Sequence, residues 1–193
     1  MRKLLMTALL AAGFVGQAAQ AAPVQWAVAS GGNDHYYEFI DSNVTWDEAF
    51  KAAQSMSFLG MQGYLATVTS AGENRFASVS VANGILAWLG ASDEGNEGTF
   101  TWRDGPENGQ ALTYTSWNAG EPNNCCGGEN YLQTNFGAVM GWNDHGGPGN
   151  FGQINGFLVE FSGATTVPEP ASLALVMTAA LAGVGVARRR GRR

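Results

Sequence analysis

The chain has 193 residues, with 10 Lys and Arg against 16 Asp and Glu and a formal net charge of −6. Seven of the ten cations crowd the two ends (Arg2, Lys3, Arg188, Arg189, Arg190, Arg192 and Arg193), so the stretch 22–166 keeps only Lys51, Arg75 and Arg103 against fifteen acids, a net charge of −12. That balance gives this stretch no electrostatic case for nucleic acid or anionic lipid and a good one for divalent cations, and its roughly 145 residues suit one domain with one hydrophobic core.

The N-terminus has a basic start at Arg2 and Lys3, an apolar run over 4–15 and the small residues Ala19-Gln20-Ala21. This is the three-part form of a secretory signal peptide over 1–21, with the exported chain beginning near Ala22. The stretch NDHYYEFIDSNVTW then begins with the alternation and aromatics of a strand and meets Thr45, with Glu48 three positions on as a capping box. From Trp46 to about Met56, the residues Trp46, Ala49, Phe50, Ala53 and Met56 fall on one helical face. Ser70 and Glu73 predict a second box, opening a helix through Phe76 and Val79. Strand signals follow at YLATV, ILAWLG, TFTW and GFLVEF, while 91–155 holds most of the glycine and asparagine and reads as a long loop region. A loop of that length inside a compact domain points to function or bound metal. The core candidates are Trp46, Phe50, Leu65, Trp88, Leu89, Phe100, Trp102, Trp142, Leu158 and Phe161.

Within the loop region, EPNNCCGGENYLQ and GWNDHGG collect side-chain oxygens. Glu121 and Asn123 flank Pro122, and a cis bond there would turn both side chains to the same side. Glu129 lies eight positions beyond Glu121, far enough for the loop to fold back, and Asn143 and Asp144 are adjacent. Calcium takes six to eight such oxygens in a flexible geometry, so the set reads as a calcium site or as a solvated polar loop. The only cysteines, Cys125 and Cys126, are neighbours. A vicinal bridge, pairing with another molecule and thiol metal binding stay open, and with His35 and His145 as the only histidines a structural zinc centre is disfavoured.

After SGATTVPEPAS comes the apolar run 173–187 and then RRRGRR. A helix here is somewhat shorter than the roughly 20 residues that cross a bilayer, though Ala171 and Ser172 extend it and arginines snorkel. The order of Val167-Pro168-Glu169-Pro170, apolar helix and arginine cluster over 167–193 resembles the PEP-CTERM sorting signal of Gram-negative bacteria. The resemblance implies an exosortase-type processing protease, removal of the helix, and delivery to the cell surface or an exopolysaccharide matrix. A permanent inner-membrane anchor through the same helix is the alternative.

EPN, Glu129 and WND, together with Thr45-Trp46 and Ala49, GYLATVTSAGEN, AWLGASD, FTWRDG, YTSW and FLVEF, resemble in order and spacing the mannose-type C-type lectin fold, over roughly 35–161. The resemblance implies an α+β fold, with two short helices, antiparallel strands and a long calcium-binding loop region, across a domain at 22–166. Its primary calcium site would use Glu121, Asn123, Glu129, Asn143 and Asp144, the same residues holding a sugar through two vicinal hydroxyls. EPN resembles the selector for equatorial hydroxyls, as in mannose, glucose, N-acetylglucosamine or fucose. A weaker second calcium site would use Asp93 and Glu97 with Asn124 and Asn130, where amides stand for two carboxylates. The family's two long-range disulfides are absent, with Ala53, Tyr131 and Val159 at three of the places concerned.

The sequence therefore predicts calcium-dependent carbohydrate binding, with a glycan or exopolysaccharide as partner. A calcium-stabilised protein-interaction module of the same fold is the alternative. A glycosidase using Glu121 and Glu129 is disfavoured because both acids sit among amides suited to shared metal coordination, and the chain is not read as an enzyme.

Overall fold

The computed structural model describes residues 21–147 and 152–163. The signal peptide, apart from Ala21, and the sorting signal with its apolar helix lie outside the described residues. Among the described residues no helix is long and apolar enough to cross a membrane.

Strand β1 (Val24–Gln25) pairs antiparallel with β2 (Tyr36–Val44), and β2 runs into helix α1 (Trp46–Ser55). The capping box forms as the sequence predicts: the Thr45 hydroxyl accepts from the Glu48 amide while the Glu48 carboxylate accepts from the Thr45 amide at 2.9 Å. Trp46, Ala49 and Ala53 are the buried stripe of α1, whereas Phe50 and Met56 are half-buried at its edge. Short β3 (Ser57–Phe58) turns into β4 (Met61–Leu65), which precedes α2 (Ala71–Arg75).

Only half of the second capping box exists. The Ser70 hydroxyl accepts from the Glu73 amide, but the Glu73 carboxylate turns away from Ser70 to take the Thr69 amide at 2.6 Å and the Tyr37 hydroxyl at 2.6 Å. Beyond Arg75 the helix widens into a π-type turn over Phe76–Val81, with the Ala82 amide bonded to the Ala77 carbonyl. The changed pitch buries Ala77 and Ser78 and leaves Val79 facing out.

The strand expected at TFTW forms as β6 (Thr101–Trp102), and the region read as loop carries two more that the sequence does not signal, β7 (Tyr131–Thr134) and β8 (Trp142–His145). They join β5 (Ala87–Ser92) and β9 (Ile154–Phe161) in one sheet whose main path is β1-β2-β9-β5-β7-β8. β9 also pairs with β4, β6 pairs with β5, and the β5–β9 pair is the parallel one. Four-residue strands containing Gln133, Asn143 and Asp144 show no apolar alternation to read, yet all of β7 and most of β8 are buried.

Alternation places core on both faces of the sheet. Leu89, Leu132, Trp142 and Leu158 gather with Tyr37, Phe100 and Trp102 on one side. Trp88, Tyr131, Phe157, Val159 and Phe161 gather with Trp46 and Leu65 on the other. The buried indoles are satisfied as they pack: Trp46 donates to the Leu89 carbonyl at 2.8 Å, Trp88 to the Val44 carbonyl at 2.9 Å and Trp142 to the Asn74 amide oxygen at 3.2 Å.

Candidate functional site

The candidate site is a loop suspended between a contact with the start of β8 and a contact just beyond its end. At its start the Asn118 amide bonds the Trp142 carbonyl and the Trp142 amide bonds the Ser116 carbonyl, fixing 116–118 beside the strand. The Glu121 amide closes a turn onto the Asn118 carbonyl, and the Glu121-Pro122 peptide is cis. At its end the Asn130 amide bonds the Gly146 carbonyl at 2.6 Å and the chain becomes β7, paired with β8 through Leu132↔Asp144 and Gln133↔Asn143.

Between these anchors the expected oxygens converge. The Asp144 carboxylate, 1% exposed, accepts the Asn123 amide at 3.0 Å on one oxygen and the Asn124 amide at 2.8 Å on the other. The Asn123 side-chain oxygen and one oxygen of the buried Glu129 share the Cys125 amide, at 2.8 and 3.1 Å. The Asn124 side-chain oxygen accepts from the Glu129 amide at 2.7 Å. Glu121 leaves one carboxylate oxygen buried without a partner. Burial first, then the adjacent Asp144 carboxyl and after it Glu129, push the Glu121 carboxyl above the usual carboxylate range. Asn143 is buried beside them, with its amide nitrogen donating to the Asp144 carbonyl.

The four residues of the expected second site divide. Asp93 is buried, accepts the Gly98 amide at 2.8 Å on one oxygen and leaves the other unpartnered. Burial raises its carboxyl above the usual range, and the Gly98 amide opposes this, while Glu97 and Asp144 add to it. Asp144 thus influences both Glu121 and Asp93. The Asn130 carbonyl accepts the Asp93 amide at 3.2 Å, the Asn124 side-chain oxygen accepts the Glu129 amide at 2.7 Å, and Glu97 is exposed.

Sequence reasoning missed two contributors. His145 places Nδ1 3.1 Å from the Glu129 carboxylate and stacks on Trp88 with ring centroids 5.9 Å apart. The Cys125 amide is a backbone group that no side-chain pattern reports, whereas the position of His145 directly after WND was a usable signal. The cysteines themselves form a vicinal disulfide.

Among the described residues the ion pairs are His35–Glu160 and His145–Glu129, so no lysine or arginine neutralises the Glu121, Asp144 and Asp93 carboxyls. Nor does any group of three or more His, Cys, Asp and Glu side chains among the described residues stand ready to hold a metal, so amide oxygens must complete any cation site here. Two unpartnered buried carboxylate oxygens, the lack of compensating cations and a donor set of carboxylate and amide oxygens fit a hard divalent ion such as calcium.

The chain belongs to the C-type lectin family: the family model for the lectin C-type domain matches residues 42–138. Halomucin of Haloquadratum walsbyi (strain DSM 16790 / HBSQ001) is 39% identical over 143 residues, which is 68% of this chain and 2% of that protein. The alpha-N-acetylgalactosamine-specific lectin of Patiria pectinifera is 33% identical over 97 residues, 48% of this chain and 55% of the relative. The chain therefore spans little of the first relative and just over half of the second. Among solved structures, the C-type lectin CEL-I of Cucumaria echinata aligns at 28% identity with a TM-score of 0.58, covering 67% of this chain and 91% of that one. The α+β fold with two short helices read from the sequence is thus the fold found.

Proposed function

We propose that this chain binds carbohydrate through a calcium ion held by Glu121, Asn123, Glu129, Asn143 and Asp144. The observation that carries this reading is the grip of Asp144 on the amides of Asn123 and Asn124, which sets the EPN segment against a carboxylate-rich surface with an unpartnered Glu121 oxygen. Calcium, when bound, supplies a Lewis-acid contact for two vicinal sugar hydroxyls. The residues supply direction: a carboxylate such as Glu121 only accepts a hydroxyl proton, whereas the amide of Asn123 also donates. Asp144 and His145 hold the two ends of the arrangement, one through the loop amides and the other through Glu129. Asp93 and Glu97, with Asn124 and Asn130, would form a weaker neighbouring cation site that shares the Asp144 field.

The relative from Patiria pectinifera bears a name specifying alpha-N-acetylgalactosamine, so kinship alone does not select the sugar. In this proposal the order Glu121 then Asn123 selects equatorial vicinal hydroxyls of the mannose or glucose type. A single sugar is held weakly, and a polysaccharide gains through repeated sites. Export by the N-terminal signal and sorting through 167–193 by an exosortase-type protease would place this activity at the cell surface or in an exopolysaccharide matrix.

Glycan-array binding with and without chelator tests the reading. The wild-type protein should bind mannose- or glucose-type glycans only with calcium. E121Q/N123D, which keeps size and charge but exchanges the two hydrogen-bonding roles, should lose that preference while still binding calcium. Unchanged selectivity in the double variant would break the link between EPN and recognition. A calcium-dependent rise in stability with no glycan signal would instead favour the interaction-module reading, which the loop-internal hydrogen bonds of Asp144 and Glu129 also accommodate.

A further inference from the structure

The segment between the candidate ligands turns through the left-handed region four times in five residues. Asn124, Cys126, Gly127 and Gly128 all have positive φ, at 48°, 61°, 105° and 117°. Glycine takes such angles freely, but a cysteine does not. Cys126 is nonetheless held there, bonded to Cys125, and the ring that the disulfide closes through the intervening peptide couples the backbones of both residues. The consequence falls on the site: the Cys125 amide is the donor that Asn123 and Glu129 share, at 2.8 and 3.1 Å. Two candidate ligands are thus aimed by one N–H, carried on a half-cystine and one bond outside the ring that the disulfide closes.

We propose that the Cys125–Cys126 disulfide is a redox-sensitive positioning element of this site, and that its reduction lowers affinity for calcium and hence for sugar. The inference rests on the calcium reading above. Cys126 is exposed and Cys125 half-buried, so a small dithiol reaches the bond. One thiolate of the dithiol attacks a sulfur, the Cys125–Cys126 bond breaks, and a mixed disulfide forms. The second thiol of the dithiol then displaces the protein sulfur and the reductant leaves as its own disulfide. Two electrons and two protons end on Cys125 and Cys126 as free thiols. With the ring open, Cys126 relaxes toward negative φ and the Cys125 amide leaves the oxygens of Asn123 and Glu129, so that only a fraction of molecules hold the loop ready to bind.

The test uses the purified protein in three forms: air-oxidised, reduced with dithiothreitol and alkylated, and C125S/C126S. Thiol counting by mass spectrometry should find no free thiol in the first. Calcium titration should give a Kd about tenfold weaker in the second and third, the shift expected if the competent loop falls to about a tenth of the population. Removing dithiothreitol from an unalkylated sample and reoxidising it should restore the tighter value. Amide exchange over 123–129 should quicken in the reduced forms while exchange in β9 stays as it was, a contrast that a general loss of stability would not give. Two free thiols in the oxidised sample, or calcium affinities and loop exchange within twofold across the three forms, would overturn the proposal. If no form binds calcium, the ion reading fails by itself, and the exchange contrast alone then upholds or overturns the positioning role.

Discussion

Asp144 holds the loop and, in the proposed reading, also ligates the ion. Its oxygens cap the amides of Asn123 and Asn124, yet each retains a second lone pair that a cation can use. Asp144→Asn keeps the shape but removes the charge and turns an NH₂ group toward one of those amides. The variant should lose about 1–3 kcal/mol of stability, the usual cost of a buried polar group left without its partner, even in chelator. If calcium binds as proposed, the wild type should gain melting temperature with calcium and D144N should not, because an ion that binds only the folded state stabilises in proportion to its occupancy. Thermal scans with and without calcium measure both effects. Glu97→Gln is the comparison: Glu97 is exposed and bonded to nothing in the loop, so its scans should nearly match wild type in chelator and retain most of the calcium rise. Equal calcium shifts in D144N and wild type would remove Asp144 from the site.

At the scale of elements, a second polar cluster ties β2, α2 and β9 together away from the candidate site. His35 Nδ1 lies 2.6 Å from the fully buried Glu160 carboxylate, which also takes the Thr67 amide at 3.0 Å. Tyr37 bridges Glu160 to Glu73, Asn33 donates to Glu73, and Thr67 reaches Glu107. The hydrogen bond to Glu160 is the main cause raising the His35 imidazole above its ordinary value of 6.5, with burial opposing it, and burial raises the Glu160 carboxyl in the same direction. Groups raised on folding hold protons that the unfolded chain has lost. Their stabilisation is complete below the unfolded value and fades as pH climbs through the folded one. The calcium-free protein should therefore melt progressively lower as pH rises above about 6.5, the ordinary imidazole value, and His35→Gln should flatten that slope. An unaltered slope in H35Q would show that this cluster does not set it.

The same elements show what the sequence could disclose. α1 was legible because its cap and apolar stripe are both local, and GFLVEF was legible because an apolar run of that length has few other homes. β7 and β8 were not, since each is four residues long and carries buried polar side chains whose burial is justified only by partners distant in sequence. Glu73 belongs to the same lesson: its spacing from Ser70 predicts a reciprocal box, but a tyrosine 36 positions away claims its carboxylate. The candidate ligands follow from a resemblance in motif, and the structure ties Asn123 and Glu129 to the Cys125 amide and the loop amides to Asp144 on β8, with Asn143 beside it and one Glu121 oxygen buried without a partner. The role of the Cys125 amide depends on backbone angles that residue identities do not reveal.

For the molecule as a whole, β8 joins core and site. Trp142 is fully buried in one core cluster, and two residues later Asp144 holds the loop, so the rigidity that positions the carboxylate comes from the same strand that fills the interior. Around it lies a stretch with fifteen acids and three cations, in which the carboxyls of Glu121 and Asp93 are left without a compensating charge. In the proposed reading the acidic loop costs folding free energy that a bound cation offsets. Calorimetric titration of calcium into the purified, oxidised protein tests that claim most directly. Saturable binding at or below about 10⁻³ M, abolished or strongly weakened in E129Q and D144N and largely kept in E97Q, is the result expected for an extracellular-type site. Absence of saturable binding in the wild type up to that concentration, or equal binding in all four proteins, would contradict it.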